Sequence, residues 1–354
     1  MITDLRLQRF RSFRDASFEL SPGVNIVVGP NASGKTNLLE ALLVLARGSS
    51  YRARDTELIR FNEPWARLDG HSQAGGQRTV KLRREPETDK TFEIDDKPFK
   101  RLSRQHTWPA VLFEPNHLQM LSGSPERRRD YLDDLLEQIQ PGYGPVRRQY
   151  RRALAQRNNL LKQPRTTPEQ LFPWDVRLSQ LGGQIARARH DLVEQINKEL
   201  PALYKQLSQA KTKVAAVYDN RWPIGSYESS LLKRLETGRD DDRLRGFTGA
   251  GPHREDLLVT FDGRPSQEVA SRGEVRTAVL ALKIIELQLL QAARDQAPLL
   301  LLDDVFSELD GARRHALTDH LAPYQTFITT TDADIVLKHF TKTANILPVG
   351  SITP

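Results

Sequence analysis

The chain has 354 residues, of which 27% are charged and 38% are hydrophobic, and this composition excludes disordered and collagen-like proteins. The richest apolar stretch, residues 278–290, is broken by Lys283 and Glu286, so we expect no segment of the ~20 apolar residues that span a bilayer. Cysteine is absent, which excludes disulfides and thiol-ligated metal sites. With no apolar signal segment at the start, we expect a cytoplasmic protein. A net charge of +7 favours polyanionic partners.

The first elements predicted along the chain are two half-buried strands and one buried strand. Alternating apolar and polar residues around Leu5 and Phe18 predict the half-buried pair. The nearly all-apolar run Val24–Val28 is typical of a strand covered on both faces. Five leucines then predict a helix over residues 37–47, which Gly48 ends. Further strand signals follow at residues 79–82, 91–94 and 108–113.

Polar helices are predicted beyond residue 115. One spans residues 145–162, and a second spans 175–200 with apolar residues at spacings of three and four. A loop containing Pro164, Pro168 and Pro173 separates them. Residues 206–242 carry weak signals.

The remaining predicted elements are a strand at Asp256–Phe261, a helix at Arg272–Ala293, a leucine-rich strand at 298–302 and a final αβ unit. The simplest architecture is one α/β domain built from residues 1–115 and 246–354. A mainly helical insertion with a short antiparallel helical hairpin occupies residues 116–245.

The segment Gly29-Pro30-Asn31-Ala32-Ser33-Gly34-Lys35-Thr36 fits the phosphate-binding P-loop pattern, between a buried strand and a helix. Its glycines allow backbone N–H groups to point at a triphosphate, and the helix start adds a positive dipole end. Lys35 would contact the β- and γ-phosphates, and Thr36 would ligate Mg²⁺. We include Asn37 in the predicted nucleotide site. A chance match in a glycine-containing turn is the alternative.

Two acids follow the leucine-rich strand and complete the predicted site. Asp303 would bind Mg²⁺ through water, and Asp304 would orient the attacking water as the catalytic carboxylate beside Lys35. A core strand ending in a solvated turn is the alternative. Lys35 lies near the start of the chain and Asp303 near its end, which is the layout of ABC-type ATPase heads.

Three shorter segments also resemble parts of ABC and SMC ATPases. Ser271-Arg272-Gly273-Glu274 forms a capping box, but it also matches the signature motif that grips the γ-phosphate held by the opposite subunit. The loop ending at Asp310 looks like a dimer-contacting loop. Arg11 lies in a segment that resembles the one placing an arginine near the nucleotide in SMC heads. A solvated strand residue is the alternative for Arg11.

Nearly the whole chain resembles the RecF family of bacterial recombinational repair proteins. The resemblance includes the nucleotide motifs and residues 123–133, 247–257 and 270–277. It implies an ABC/SMC-type P-loop ATPase head with an insertion, which dimerises around two ATP molecules and hydrolyses them slowly. It also implies DNA binding and joint action with RecR and RecO in loading RecA onto gapped single-stranded DNA.

The sequence departs from those of related ATPases at two places, one expected near the γ-phosphate and one expected near the metal. The histidine that ABC transporters place after the last strand is replaced by Thr329-Thr330-Thr331-Asp332, so a contact there would need a threonine hydroxyl. The glutamine that related ATPases place on the metal is not obvious after Glu114-Pro115, although Asn116 and Gln119 are nearby.

Basic residues without intervening acids suggest DNA contacts in the insertion. Residues 147–165 contain seven arginines or lysines and no acid. A one-sided basic arc can contact phosphates without reading bases, and an ordinary solvated helix face is the alternative. His253-Arg254 would face either DNA or the dimer interface. The candidates are Arg127, Arg128, Arg129, Arg147, Arg148, Arg151, Arg152 and Lys162.

The leading hypothesis is an ATP-switched DNA clamp in which hydrolysis times release. A nucleotide-binding subunit of a membrane transporter is a second class, disfavoured by the basic helices and the missing histidine. A third is a repair scaffold that does not hydrolyse ATP.

Overall fold

The computed structural model describes residues 1–73, 75–84, 88–331, 336 and 344–350, which form two compact units. The first unit comprises Met1–His117 and Glu286–Pro354, and the second comprises Leu118–Ile285. Residues 246–285, which the sequence analysis assigned to the head, cluster with the second unit; the domain boundaries stay a prediction. Within the described ranges, no helix combines the length and apolarity that a membrane span requires.

Within the part of the chain that the structure describes, the strands are short and form three sheets. In chain order they are β1 (Ile2–Phe10), β2 (Phe13–Glu19), β3 (Val24–Val28), β4 (Trp65–Ser72), β5 (Gln77–Arg83), β6 (Asp89–Ile94), β7 (Lys97–Phe99), β8 (Ala110–Phe113), β9 (Val214–Asp219), β10 (Asp256–Phe261), β11 (Arg264–Pro265), β12 (Leu299–Asp303), β13 (Thr326–Thr330) and β14 (Asn345–Pro348).

The helices range from single turns to one of 41 residues. They are α1 (Lys35–Arg47), α2 (Asp55–Leu58), α3 (Pro125–Ile139), α4 (Tyr143–Leu161), α5 (Pro168–Ser208), α6 (Tyr227–Thr237), α7 (Arg239–Arg245), α8 (Ser266–Val269), α9 (Arg272–Ala293), α10 (Val305–Glu308) and α11 (Gly311–Leu321). Short 3₁₀ turns occur at Arg104–His106, Pro115–Gln119 and Ile224–Ser226.

A parallel sheet in the first unit determines where the functional residues lie. Its described strands have the order β14-β3-β13-β12-β8, and each neighbouring pair is parallel. These strands are mostly buried, which explains the largely apolar sequences of β3, β8 and β12, whereas β13 is buried with three threonines. Because parallel strands place their carboxyl ends at one edge, the ends of β3 and β12 lie one strand apart, with β13 between them.

An antiparallel sheet completes the first unit, with the order β2-β1-β4-β5-β6-β7. Its apolar residues and those of the parallel sheet share one core with the leucines of α1. The helix predicted over residues 37–47 is confirmed, and Gly48 ends it with a φ of 82°. The buried leucines hold the start of α1 against the sheet edge.

The second unit contains α3 to α8, the first part of α9 and an antiparallel sheet of order β11-β10-β9. The apolar seam predicted on α5 is confirmed, since Leu178, Ile185 and Ile196 are buried. The prediction of a loop through Pro173 is wrong. α5 begins at Pro168, where a missing N–H is harmless, and Thr167 and Gln170 form a capping box before it.

Residues 206–242, whose sequence carries weak secondary-structure signals, also contain regular structure: β9, α6 and most of α7 lie there. β9 pairs with β10 along its whole length, from Asp256↔Asp219 to Phe261↔Val214. Pairing with β10, remote in sequence, forms this strand, which is why local residue patterns signalled it weakly.

Two arginines lie on the buried face of α4. Arg157 is 0% exposed, and Arg147 is 7% exposed. Arg157 donates from Nε to Asp175 Oδ1 and from NH1 to Asp242 Oδ2, both at 2.7 Å. Each buried charge is thus neutralised by acids from other helices. The placement of Arg147 on the basic, solvent-facing arc of α4 is wrong.

We predict that Arg157→Ala destabilises the protein by about 3–5 kcal/mol, because it leaves Asp175 and Asp242 as buried, uncompensated carboxylates. Urea unfolding followed by circular dichroism measures the change. Arg152→Ala is the matched control on the exposed face of the same helix, with an expected change within about 0.5 kcal/mol. Equal effects of the two substitutions would show that Arg157 does not hold this unit together.

Candidate nucleotide site

The loop between β3 and α1 requires glycine at two positions. Gly34 caps α1 with a φ of 103°, a conformation that L side chains rarely adopt. A Cβ on Gly29 would lie 2.4 Å from the Val349 carbonyl oxygen and 2.5 Å from Ser33 Oγ. The two glycines therefore permit a tight loop at the start of the helix.

Lys35 folds back onto this loop. Its Nζ donates to the carbonyl oxygens of Gly29 at 2.8 Å and Pro30 at 2.9 Å. Ser33 Oγ is buried and, among the described residues, has no hydrogen-bond partner. Pro30, Asn31 and Ala32 form the exposed tip. An ammonium group, an unpaired hydroxyl and a helix N-terminus suit a polyphosphate anion.

Asp303 joins the P-loop helix to the neighbouring strands. Its Oδ1 accepts hydrogen bonds from Thr36 Oγ1 at 3.0 Å and from Thr329 Oγ1 at 2.8 Å. Thr329 lies opposite both Asp303 and Val27 in the sheet register. The sheet thus brings together Thr36 and Asp303, which the sequence analysis paired, although 267 positions separate them.

Thr329 also positions Asp304. Its Oγ1 accepts the backbone N–H of Asp304 at 2.8 Å, while Asp304 has a left-handed φ of 54°. The Thr329 hydroxyl thus donates a hydrogen bond to Asp303 and accepts one from the backbone of Asp304. In the same segment, Thr331 is exposed. Asp332 lies outside the described residues.

Thr36 and Asp303 present a suitable donor pair for Mg²⁺. A hydroxyl and a carboxylate oxygen, 3.0 Å apart, are hard oxygen ligands of the type this cation prefers. Asn116 and Gln119, the candidates for an additional ligand, are exposed in the turn Pro115–Gln119, and that role stays a prediction.

A buried carboxylate behind the P-loop was missed by the sequence analysis. Glu40, with a side chain 0% exposed, accepts two hydrogen bonds from Arg11 at 2.8 and 2.9 Å, one from Arg52 at 3.1 Å and one from Ser50 at 2.6 Å. An acid within the apolar sequence of α1 was the available signal, because a buried carboxylate requires cationic partners. The predicted contact of Arg11 with nucleotide stays a prediction.

Asn37 belongs to the same cluster. Its Nδ2 donates to Ser12 Oγ at 2.9 Å, and its Oδ1 accepts from Arg52 at 2.9 Å. These bonds connect the β1–β2 turn and the segment after α1 to the first turn of the helix. A nucleotide contact by Asn37 stays a prediction.

The predicted signature and dimer loop are exposed helix starts. Ser271 and Glu274 form the expected capping box: the Ser271 N–H and Oγ each donate to Glu274 Oε2 at 2.8 Å. Arg272 and Gly273 open α9. Asp310 caps α11 by accepting the Arg313 N–H at 2.9 Å. Their roles across a dimer stay predictions.

The predicted basic surface divides into exposed and buried members. Arg128 is 4% exposed and forms a two-bond ion pair with Asp256, and Arg147 pairs with acids of α3, so their assignment as DNA contacts is wrong. Arg129 is half-buried and donates to the Glu255 carbonyl at 2.8 Å. The exposed candidates, for which DNA contact stays a prediction, are Arg127, Arg148, Arg151, Arg152 and Lys162.

We predict that Glu40→Gln destabilises the first unit by about 1.5–3 kcal/mol at pH 7, because Arg11 and Arg52 lose a charged acceptor. Burial would raise the pKa of Glu40, but hydrogen bonds from Arg11, Arg52 and Ser50 outweigh it and hold the pKa below its ordinary 4.5. This stabilisation is complete above pH 4.5 and disappears as the pH falls through the lower folded-state pKa.

Urea unfolding at several pH values measures the difference between wild type and Glu40→Gln, which should shrink in acid. Glu57→Gln, at an exposed carboxylate of the same unit, is the control. A difference that stays constant from pH 7 to pH 3 would contradict the role of the Glu40 charge.

Comparisons with known proteins identify the family of the chain. The family described as "RecF/RecN/SMC N terminal domain" matches residues 1–349. Proteins named "DNA replication and repair protein RecF" from Heliobacterium modesticaldum and Roseiflexus castenholzii are each 36% identical to the chain. The first alignment covers 93% of this chain and 92% of the relative, and the second covers 94% of each.

Solved structures show the same fold. One, described as the recombination mediator protein RecF-ATP in the RecFOR pathway, is 29% identical with a TM-score of 0.83, over 94% of this chain and 92% of that one. An SMC head bound to the C-terminal winged-helix domain of ScpA has 15% identity and a TM-score of 0.53, over 96% and 92% of the two chains, which supports the fold alone. The predicted ABC/SMC-type α/β head is confirmed, and the chain belongs to the RecF family of SMC-like ATPases.

Proposed function

We propose that the protein is an ATP-dependent DNA-binding repair protein whose dimer closes on DNA when ATP is bound. The observation that carries the proposal is the convergence of Lys35, Thr36 and Asp303 at one sheet edge, with Asp304 following. The relatives' names, which specify DNA replication and repair, and the structures titled as ATP-bound support the assignment.

ATP would lie with its phosphates on the P-loop. The Lys35 ammonium, the loop N–H groups and the N-terminus of α1 would neutralise the β- and γ-phosphates. Mg²⁺ held by Thr36 and Asp303 would supply further positive charge to the phosphate oxygens. Asp304 would accept a hydrogen bond from water and orient it towards the γ-phosphorus, giving ADP and phosphate.

Dimerisation would complete the site. Ser271, Arg272 and Gly273 of a second copy would contact the γ-phosphate with a hydroxyl, backbone N–H groups and a helix start. Asp310 would lie in the dimer-contacting loop. Slow hydrolysis, stimulated by DNA, would separate the copies and time release.

The pathway partners follow from the relatives. The RecFOR pathway in the structure titles supports joint action with RecR and RecO. By the family resemblance, the protein would help to load RecA at single-strand gaps in the cytoplasm. The exposed arginines of α4 and Lys162 would contact DNA phosphates.

We predict that ATP with Mg²⁺ converts wild type from monomer to dimer. Lys35→Ala should lose both nucleotide and dimer, because the P-loop cation is removed. Ser271→Arg should keep nucleotide but lose the dimer, because a bulky cation replaces the hydroxyl that would face the partner's phosphate. Light scattering after size exclusion, with parallel nucleotide titrations, measures both properties.

The matched control is Ser226→Arg, another exposed serine just before a helix, which should dimerise like wild type. A Ser271→Arg protein that still dimerises with ATP would contradict the shared site. So would a wild-type protein of constant mass with and without nucleotide.

We predict that Asp304→Asn slows ATP hydrolysis by at least about 100-fold while leaving ATP affinity within about threefold, because the amide orients water poorly but the P-loop is unchanged. The variant should remain a dimer on DNA after ATP addition, whereas wild type should dissociate. Phosphate release and DNA-bound mass, followed over time, measure this. A variant that dissociates at the wild-type rate would favour the scaffold hypothesis.

A further inference from the structure

An exposed apolar and cationic surface lies between α7 and β10. Leu244 is 89% exposed and Phe247 is 39% exposed, whereas most large apolar side chains of this unit are buried. Arg245 and Arg254 are exposed in the same segment, and Lys162 is exposed just after α4. We refer to Lys162, Leu244, Arg245, Phe247 and Arg254 as the Phe247 surface.

The members of this surface come together from two parts of the chain. The Arg254 guanidinium carbon lies over the Phe247 ring, 4.6 Å from its centroid. Lys162 Cγ lies 3.7 Å from the position that a Cβ on Gly246 would occupy. Arg245 NH1 lies 3.4 Å from the corresponding position on Gly249. Arg254 thus lies over the aromatic ring, and Lys162 and Arg245 lie beside glycines of the turn that carries it.

Hydrogen bonds from the buried Arg157 fix the position of this turn. Arg157 NH1 donates to Asp242 at 2.7 Å and to Thr248 Oγ1 at 2.9 Å. Asp242 in turn accepts the Gly249 N–H at 3.0 Å, and Asn158 accepts the Thr248 N–H at 2.8 Å. Because the backbone on both sides of Phe247 is fixed, little conformational entropy remains to be lost when the surface binds a partner.

His253 stabilises the turn through its ring nitrogens and does not belong to the Phe247 surface. Its ring nitrogens lie 2.7 Å from the Tyr150 hydroxyl and 3.0 Å from the Thr248 carbonyl oxygen. Burial lowers the pKa of His253 to about 4, so the ring is neutral near pH 7. Of the pair His253-Arg254, only Arg254 presents a cation to solvent.

The chemistry of the Phe247 surface matches a single-stranded nucleic acid. Aromatic rings and guanidinium planes stack on unpaired bases, and nearby cations contact the phosphates. A duplex hides its base faces, so an aromatic platform adds little to duplex binding. A membrane is a poorer match, because α7 has only seven residues, too few for an interfacial helix. The exposed acids of α7, Asp240 and Asp241, lie one helical turn before Leu244 and Arg245, and Asp241 is 3.8 Å from Arg234 NH2.

We propose that the Phe247 surface binds single-stranded DNA, with a base stacked on the Phe247–Arg254 pair and phosphates contacted by Lys162 and Arg245. This inference rests on the proposed DNA-binding function and adds to it a location and a preference for unpaired strands. Arg254 is pre-organised by the ring beneath it, so its guanidinium needs no ordering when a base arrives.

The test uses the full chain with ATP and Mg²⁺ and a fluorescent 20-nucleotide single strand, compared with a duplex of the same length. Phe247→Leu and Arg254→Gln should each weaken single-strand binding by about fivefold or more, and duplex binding by less than twofold. Phe247→Trp should bind within twofold of wild type, because it restores a stacking ring. Lys162→Gln should reduce the slope of log affinity against log salt by about 0.7.

Arg221→Gln is the matched control, since Arg221 is another exposed arginine of the same unit beside an aromatic ring, 5.9 Å from the Trp222 centroid. It should bind single strands like wild type. Melting temperature and ATP-dependent mass, measured for every variant, separate a lost contact from lost folding. A folded Phe247→Leu or Arg254→Gln protein that fails to dimerise would overturn the proposal in favour of a dimer interface.

Other results also decide the question. Equal weakening of single-strand and duplex binding would overturn the stacking role, as would wild-type affinity in Phe247→Leu. Binding to phosphatidylglycerol vesicles or to an acidic peptide that Phe247→Leu abolishes, with DNA binding unchanged, would overturn DNA as the occupant. If single-strand affinity is independent of ATP but falls in the two variants, the proposed clamp fails and this surface stands. If wild type binds no single strand, both proposals fail.

Discussion

The hydrogen bonds of Asp303 create the candidate nucleotide site from the two ends of the chain. Asp303 accepts one hydrogen bond from Thr36 on the P-loop helix and another from Thr329 on β13, the strand between β3 and β12. In the register of the parallel sheet, Thr329 lies opposite Asp303 on one side and Val27 on the other. A slip of one residue in β13 would turn Thr329 to the opposite face and remove the link. The continuous burial of these strands is therefore a functional constraint as well as a source of stability.

Buried arginines have a comparable role in the second unit. Arg157 joins α4 to α5 and α7 through Asp175 and Asp242, and Arg189 joins α5 to α3 through Asp133. Desolvation offsets much of the attraction within such pairs, so they are a weak source of net stability. Their directional hydrogen bonds do fix helix positions. The turn that carries Phe247 owes its shape to the same Arg157 that occupies the centre of this unit.

The sequence alone was sufficient to predict those parts of the site whose residues are contiguous in one segment. The strand, glycines and helix of the P-loop are contiguous, and so are the leucines and acids ending at Asp303. Family resemblance then added the ABC/SMC-type fold. Glu40 was missed because its partners, Arg11 and Arg52, lie in separate segments, which left the acid within the apolar sequence of α1 as the local signal of the cluster. The buried state of Arg147 was missed because its acids lie on the preceding helix, so an acid-free run in sequence is not acid-free in space.

The net positive charge of the chain is therefore an incomplete guide to its anion-binding surfaces. Arg128, Arg147, Arg157 and Arg189 are internal and paired with acids. Arg78 is also internal: it donates to the Leu45 carbonyl at 2.7 Å, and burial lowers its pKa to about 10. All five count towards the surplus of cations, yet none can neutralise a phosphate from solvent. What distinguishes Arg254 is its exposure above an aromatic ring on a fixed turn. Location, rather than the number of cations, determines where a polyanion can bind this protein.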